Sequence, residues 1–248
     1  MSIILSVNNL RYCYNANIPV LKEITFNVSP GEFISIAGPN GSGKTTLIKL
    51  IVDLIELQEG IINFNNESNK SISVKEQIMY LPSEDYLPEF LSGKEYIKMI
   101  CGLYKKSVDN RLLEILVDYY NLSSKIDELM ENYSHGMKKK IQLISSFVVN
   151  PKLLIIDETL NGIDIEAKEI TKNLLKRYNE KGGAVIFCSH DLKLVEDLGG
   201  RVILMNSGSI VTDDVLENIL SDKFNSLLEA FKKLIGYKEL NDEILYYF

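Results

Sequence analysis

Residues 38–46 read Gly-Pro-Asn-Gly-Ser-Gly-Lys-Thr-Thr and match the pattern G-x-x-x-x-G-K-[ST] at every position. The spacing has a chemical purpose. Gly38, Gly41 and Gly43 let the backbone turn around Pro39, Asn40 and Ser42 with its amides facing inward, a concavity suited to anionic oxygens. Lys44 follows where an ammonium reaches the β- and γ-phosphates of a nucleoside triphosphate. The Thr45 hydroxyl is placed to ligate Mg²⁺, and Thr46 closes the segment. A helix N-terminus directly behind the loop adds partial positive charge. The chain is expected to bind a nucleoside triphosphate.

Hydrolysis asks for more than a phosphate clamp: a metal, an oriented water and charge stabilisation. Residues 153–156, Leu-Leu-Ile-Ile, run straight into Asp157-Glu158. An acid behind such an apolar run sits at the C-terminal end of a buried strand, the edge of a parallel sheet where ligands bind. Asp157 is the candidate Mg²⁺ ligand, through a water, and Glu158 the candidate for polarising the attacking water. His190, one of two histidines, ends a second apolar run, 184–189. It is expected at the same edge, in polar contact with the γ-phosphate or the attacking water.

Other segments must position these groups. Residues 32–37 form a short apolar strand before the loop, and 47–54 have helical spacing. Residues 5–10 and 24–28 alternate like half-buried strands, and 11–19 between them read as a turn-rich loop carrying Tyr12 and Tyr14. A strand is expected at 61–64, a polar loop to about 73, and a short strand at 78–81 ended by Pro82. From 92 to about 124 the pattern is helical. Tyr96, Ile97, Ile100, Leu103 and Tyr104 share one face, and Leu112, Leu113, Ile115, Leu116 and Tyr119 mark a second helix. Ser134 is the candidate N-cap of a third, with Met137, Ile141, Ile144 and Val148 as its buried stripe and Asn150-Pro151 as its stop. A helix at 165–180, a short helix after 191 and strands at 201–205 and 209–211 complete the alternation.

The fold class that follows is α/β: a P-loop NTPase with a mostly parallel central sheet, N-terminal antiparallel strands and an inserted α-helical subdomain. The expected ATPase domain spans 1–213, with 84–150 as the inserted lobe. Residues 214–248 form a C-terminal helical extension, ending Leu-Tyr-Tyr-Phe, that packs on its own domain.

Composition narrows the function classes. A net charge of −7 argues against a nucleic-acid-binding surface as the main business of the chain. Three scattered cysteines, Cys13, Cys101 and Cys188, form neither a disulfide framework nor a zinc spacing, which points to free thiols in a reducing compartment. The N-terminus lacks a signal-peptide pattern, and no apolar run approaches the ~18 residues of a bilayer span. A soluble, cytoplasmic protein is expected, held at a membrane only by another chain.

The ordered set of phosphate loop, Tyr133-Ser-His-Gly-Met137, Leu-Leu-Ile-Ile-Asp-Glu158, Asn161-Gly-Ile-Asp164 and Ser189-His-Asp191 resembles the ATP-binding-cassette (ABC) ATPases over about residues 3–212. The resemblance implies ATP and Mg²⁺ as cofactors and an aromatic, Tyr14 with Tyr12 as the fallback, stacked on adenine. It implies that Ser134, His135 and Gly136 contact the γ-phosphate bound by an opposite subunit, and that 161–164 line the interface. A second ABC ATPase subunit, as homodimer or heterodimer, would close head to tail around two ATP, and a separate transmembrane permease would hold the pair at the inner face of the cell membrane.

Two departures stand out. The family's signature usually reads Leu-Ser-Gly-Gly-Gln; His135 and Met137 are similar to the variant of drug, antibiotic and bacteriocin exporters. Where the family has a metal-reaching glutamine after the 78–81 strand, this chain has Ser83, beside Glu84. Ser83 is too short to reach as glutamine does, though a water could bridge, and altered coupling without loss of hydrolysis is the expectation. Lys138-Lys139-Lys140 sit in the first turn of a helix, where they oppose the dipole; attraction of ATP or an acidic partner competes with a solvated basic face. The rival class, a non-transport ABC ATPase of translation or chromosome maintenance, would call for two cassettes with a charged linker or for long coiled coils, and neither is visible here.

Overall fold

The computed structural model describes residues 3–15, 18–220 and 224–236. Two long antiparallel strands, β1 (Leu5–Asn15) and β2 (Ile18–Val28), open the chain. β3 (Phe33–Ala37) leads through the glycine loop into α1 (Lys44–Ile51). β4 (Glu59–Phe64) and β5 (Glu67–Ser68) return to β1, giving an antiparallel sheet of order β2-β1-β4-β5. After α2 (Ile72–Lys75) and β6 (Ile78–Leu81) come three helices with no strand between them, α3 (Gly93–Leu103), α4 (Asn110–Tyr119) and α5 (His135–Val149). β7 (Leu153–Asp157), α6 (Ile165–Glu180), β8 (Ala184–Ser189), α7 (Leu192–Leu198), β9 (Arg201–Asn206), β10 (Ser209–Val215), α8 (Leu216–Leu220) and α9 (Leu227–Ile235) follow.

The second sheet runs β10-β9-β3-β8-β7-β6, parallel except for the β9–β10 hairpin. β8 therefore lies between β3 and β7, and the C-terminal ends of all three, Ala37, Ser189 and Asp157, share one edge. Alternation along each strand divides the core. Ile34, Ile36, Ile155, Ile186 and Ile203 face α1 and the antiparallel sheet. Leu154, Ile156, Val185, Phe187 and Leu204 face the helices on the other side. Side chains of α3, α4 and α5 belong to that second core rather than to one of their own. The helices start where local chemistry dictates. Ser92 and Glu95 form a reciprocal capping box, and Asp109, Ser134 and Asp164 cap α4, α5 and α6, each worth about 1 kcal/mol. Asn150 ends α5 at φ 50°. Among the described residues no helix is long and apolar enough to cross a membrane.

Several segments differ from the sequence reading. Residues 11–15 and 18–19 are strand rather than loop, with Tyr12 opposite Leu21 and Cys13 opposite Pro19. The Gln58 side chain bonds both backbone groups of Cys13, supplying the ladder that the local sequence does not announce. The polar stretch to 73 contains β5 and the start of α2. Leu103, Ile115 and Tyr119 are exposed, and Leu113, Leu116 and Val117 carry the buried face of α4. α5 is buried nearly all round rather than along one stripe. β10 continues to Val215 before two short helices, and Leu227 and Ala230 of α9 join the core. The terminal Leu-Tyr-Tyr-Phe, like the N-terminal Met-Ser, lies outside the described residues.

Candidate nucleotide site

Two glycines of the loop, Gly38 and Gly43, are held by contacts that leave no room for a side chain. A Cβ on Gly38 would lie 2.2 Å from the Met205 carbonyl oxygen, and one on Gly43, at φ 103°, 2.7 Å from the Leu21 side chain. Lys44 is buried, and its Nζ donates to the carbonyls of Gly38 at 2.8 Å and Pro39 at 3.2 Å. The ammonium thus lies inside the concavity of its own loop. The Ser42 hydroxyl, also buried there, has no hydrogen-bond partner in the chain. An anion entering the loop would satisfy it.

Asp157 is fully buried at the end of β7. Burial pushes its carboxyl up and the charge of Glu158 adds to that, against a hydrogen bond from Thr45, the charge of Lys44 and a bond from Tyr80. A desolvated carboxylate touching a threonine hydroxyl beside a phosphate loop fits a divalent cation, which would offset the cost of burying the charge. The Tyr80 hydroxyl donates to Asp157 Oδ2 at 3.4 Å. Burial, then the Asp157 charge, raises the Tyr80 phenol well above its ordinary value, so it stays a donor.

Glu158 adopts φ 55°, the left-handed region, at a cost of order 1–3 kcal/mol for a side chain of this kind. Its amide donates to Cys188 of β8 at 3.0 Å, and its carbonyl accepts from Asn161 at 3.0 Å. Its Oε1 lies 2.8 Å from His190 Nδ1. The backbone thus turns the carboxylate toward the end of β8, where the imidazole meets it. Buried Thr159 donates to the carbonyls of Leu81 at 3.0 Å and Pro82 at 3.2 Å, pinning the end of β6 to that of β7.

A cavity of about 410 Å³ gathers Tyr14, Asn40, Gly41, Ser42, Gly43, Lys44, Thr45, Thr46, Ser83, Asp157 and Glu158. Gly38 and Pro39 lie behind it as acceptors of Lys44, and His190 reaches it through Glu158. Tyr14 is the exposed member of an edge-to-face pair with buried Tyr12, 5.1 Å between centroids, and its hydroxyl is 3.3 Å from Thr46 Oγ1. Tyr12 belongs to the core, which removes it as the stacking fallback. Ser83 lines the cavity, but its hydroxyl donates to Glu84 at 3.1 Å.

Ser134, His135 and Gly136 do not line this cavity. Ser134 caps α5 and is exposed; His135 Nδ1 lies 2.6 Å from Asp85 Oδ2. A Cβ on Gly136 would lie 3.1 Å from the Gly162 carbonyl oxygen. The three lysines are neither a solvated face nor free to attract a ligand. Lys138 pairs with Glu89, Lys139 donates to the Asn161 carbonyl, and Lys140 bridges Asp164 and the Tyr120 carbonyl. They lash the start of α5 to the segment after β6 and to the loop after Glu158.

Sequence reasoning singled out neither Tyr80 nor Thr159, nor Asp85 and Glu89 as partners of α5. Their contacts span from 49 to 78 residues, and no periodicity or motif marks such pairs. The usable signal was compositional: a tyrosine in a four-residue strand and acids flanking an exposed aromatic segment.

The family model described as ABC transporter matches residues 21–161. An uncharacterized ABC transporter ATP-binding protein of Bacillus subtilis is 35% identical over 215 residues, covering 85% of this chain and 69% of that protein. The SkfA peptide export ATP-binding protein of the same organism is 30% identical, covering 85% of this chain and 88% of that one. A solved ATP-binding subunit of an ABC transporter superposes with a TM-score of 0.88 at 28% identity, over 94% of this chain and 99% of that one.

Proposed function

The chain belongs to the family of ABC transporter ATP-binding proteins and is an ATPase subunit; from that premise we propose that it works with Mg²⁺, closes head to tail on a second cassette around two ATP, and drives a separate transmembrane permease in the export direction. The observation that carries this reading is an imbalance. The loop, Asp157, Glu158 and His190 converge on one cavity, whereas Ser134 caps a helix that does not line it. The helix start would complete the site of another copy.

ATP phosphates take the loop amides and the Ser42 hydroxyl, and Lys44 turns from its own carbonyls to the β- and γ-oxygens. Thr45 and Asp157 would hold the metal, with Ser83 able to reach it only through a water; Mg²⁺ bound there would neutralise charge on the triphosphate. Glu158, oriented by His190, takes the proton side of the attacking water. Tyr14 stacks on the base. The permease face is read from an apolar groove of about 230 Å³ that includes Ile51, Leu54, Val74 and Tyr104, and from exposed Tyr86 and Phe90 after β6. The export direction rests on His135-Gly136-Met137 and on the relative named for peptide export.

Glu158→Gln tests the reading. ATP binding should persist, turnover should fall at least ~100-fold by loss of the base, and an ATP-dependent dimer should accumulate in light scattering. Ordinary turnover would remove Glu158 from this role.

A further inference from the structure

Tyr80 stands in two environments at once. Its hydroxyl reaches Asp157 Oδ2 at 3.4 Å, and its ring forms part of the wall of the apolar groove with Ile51, Leu54, Val74, Ile78 and Tyr104. From β6, Tyr80 lines the groove while its hydroxyl touches the acid of the nucleotide site. Tyr104, at the end of α3, donates to the Ile78 carbonyl at 3.0 Å, so the same short strand is also tied to a helix between β6 and β7. Ser83, after β6, also lines the nucleotide cavity, but its hydroxyl donates to Glu84. A hydrogen bond of 3.4 Å is near the limit of useful length, and a small shift of the ring tightens or breaks it.

We propose that Tyr80 is a positioning residue, whose phenol sets the orientation of the Asp157 carboxylate and relays to it whether the apolar groove is filled. This rests on the reading of Asp157 as metal ligand and of the groove as the permease face. A partner segment entering beside Leu54 and Tyr104 presses on the ring, and the ring moves the hydroxyl that Asp157 accepts from. Outer partners of a metal-ligating carboxylate commonly govern metal affinity by tenfold or more, and an element that both sites bias couples them. Here that element is a single side chain.

The 248-residue chain has no tryptophan, so Leu54→Trp places a lone indole in its groove. With a non-hydrolysable ATP analogue bound, Mg²⁺ is titrated and indole emission read. The expected result is a saturable emission change whose half-saturating Mg²⁺ rises about tenfold, and whose amplitude falls, when Tyr80→Phe is added. Phenylalanine keeps the ring packing, and an unchanged melting temperature and unchanged metal-free nucleotide binding exclude a folding defect. Tyr104→Phe removes a phenol from the same wall without touching Asp157 and should leave the curve in place. An unchanged curve in Tyr80→Phe, or an equal shift in Tyr104→Phe, overturns the proposal. Asp157→Asn separates it from the underlying reading: if that change leaves Mg²⁺ dependence intact, the metal-site reading fails, and if it abolishes the response while Tyr80→Phe does nothing, only the positioning role fails. Failure of a permease to cross-link at position 54 would sink the groove reading and leave the Mg²⁺ shift standing.

Discussion

Lys44 bonded to Gly38 and Pro39 is a charge stored where its ligand will go. In the proposed binding mode ATP exchanges those carbonyls for phosphate oxygens, so the loop need not rearrange around a mobile side chain. Lys44→Ala should weaken ATP binding by about 10- to 100-fold, the range of one charge-assisted bond at 1.5–3 kcal/mol; isothermal titration showing parental affinity would contradict the role given to Lys44. That this residue, Thr45 and Asp157 meet at one cavity could be read from the chain, the first two from motif spacing and Asp157 from the apolar run before it. The left-handed backbone of Glu158 and its pairing with His190 could not, since both depend on β8 lying between β3 and β7.

The start of α5 shows why charge patterning misled. Three consecutive lysines look like a basic surface, yet Lys138 and Lys140 are buried and each meets an acid or carbonyl from another segment. Their positive charge near a helix N-terminus is offset by Glu89 and Asp164, which lie 49 and 24 residues away. Asp164 in turn caps α6 by accepting from Ala167 at 2.8 Å. Lys140→Met should cost about 1 kcal/mol, because Asp164 is half-exposed and its charge is not stranded. A melting point lower by about 2–4 °C is expected, with a larger loss in turnover as α5 and the 161–164 loop lose register. The Lys140 bond, then the Ala167 amide, holds the Asp164 carboxyl below its usual range. That stabilisation is present above the unfolded-state value near ~3.9 and fades as pH falls through the lower folded value. Lys140→Met should therefore flatten this part of the acid limb in pH-dependent unfolding, and an unchanged limb would show that the pair carries no linkage. The β1–β2 hairpin was misread for a related reason. Asn and Pro between 11 and 19 favour turns locally, but the β1–β2 pairing and the Gln58 clasp on Cys13 override that preference.

The two-sheet architecture follows from patterns visible in the chain: wholly apolar runs for β7 and β8, alternating runs for β1 and β2, and helical spacing between β6 and β7. What patterning could not convey is that α3, α4 and α5 share the core of the parallel sheet and are tied by hydrogen bonds to β6 and to the loop after Glu158. In the proposed dimer each site takes its loop from one chain and Ser134 from the other. Complementation between two inactive variants tests that arrangement most directly. Lys44→Ala disables a loop and leaves an intact Ser134; Ser134→Arg blocks a helix start and leaves an intact loop. Each alone should hydrolyse almost no ATP. Mixed under conditions that allow exchange, half of randomly paired dimers hold one intact composite site, so turnover should recover to about a quarter of the parent's. No recovery from a well-folded, exchanging mixture would contradict a site built from two chains.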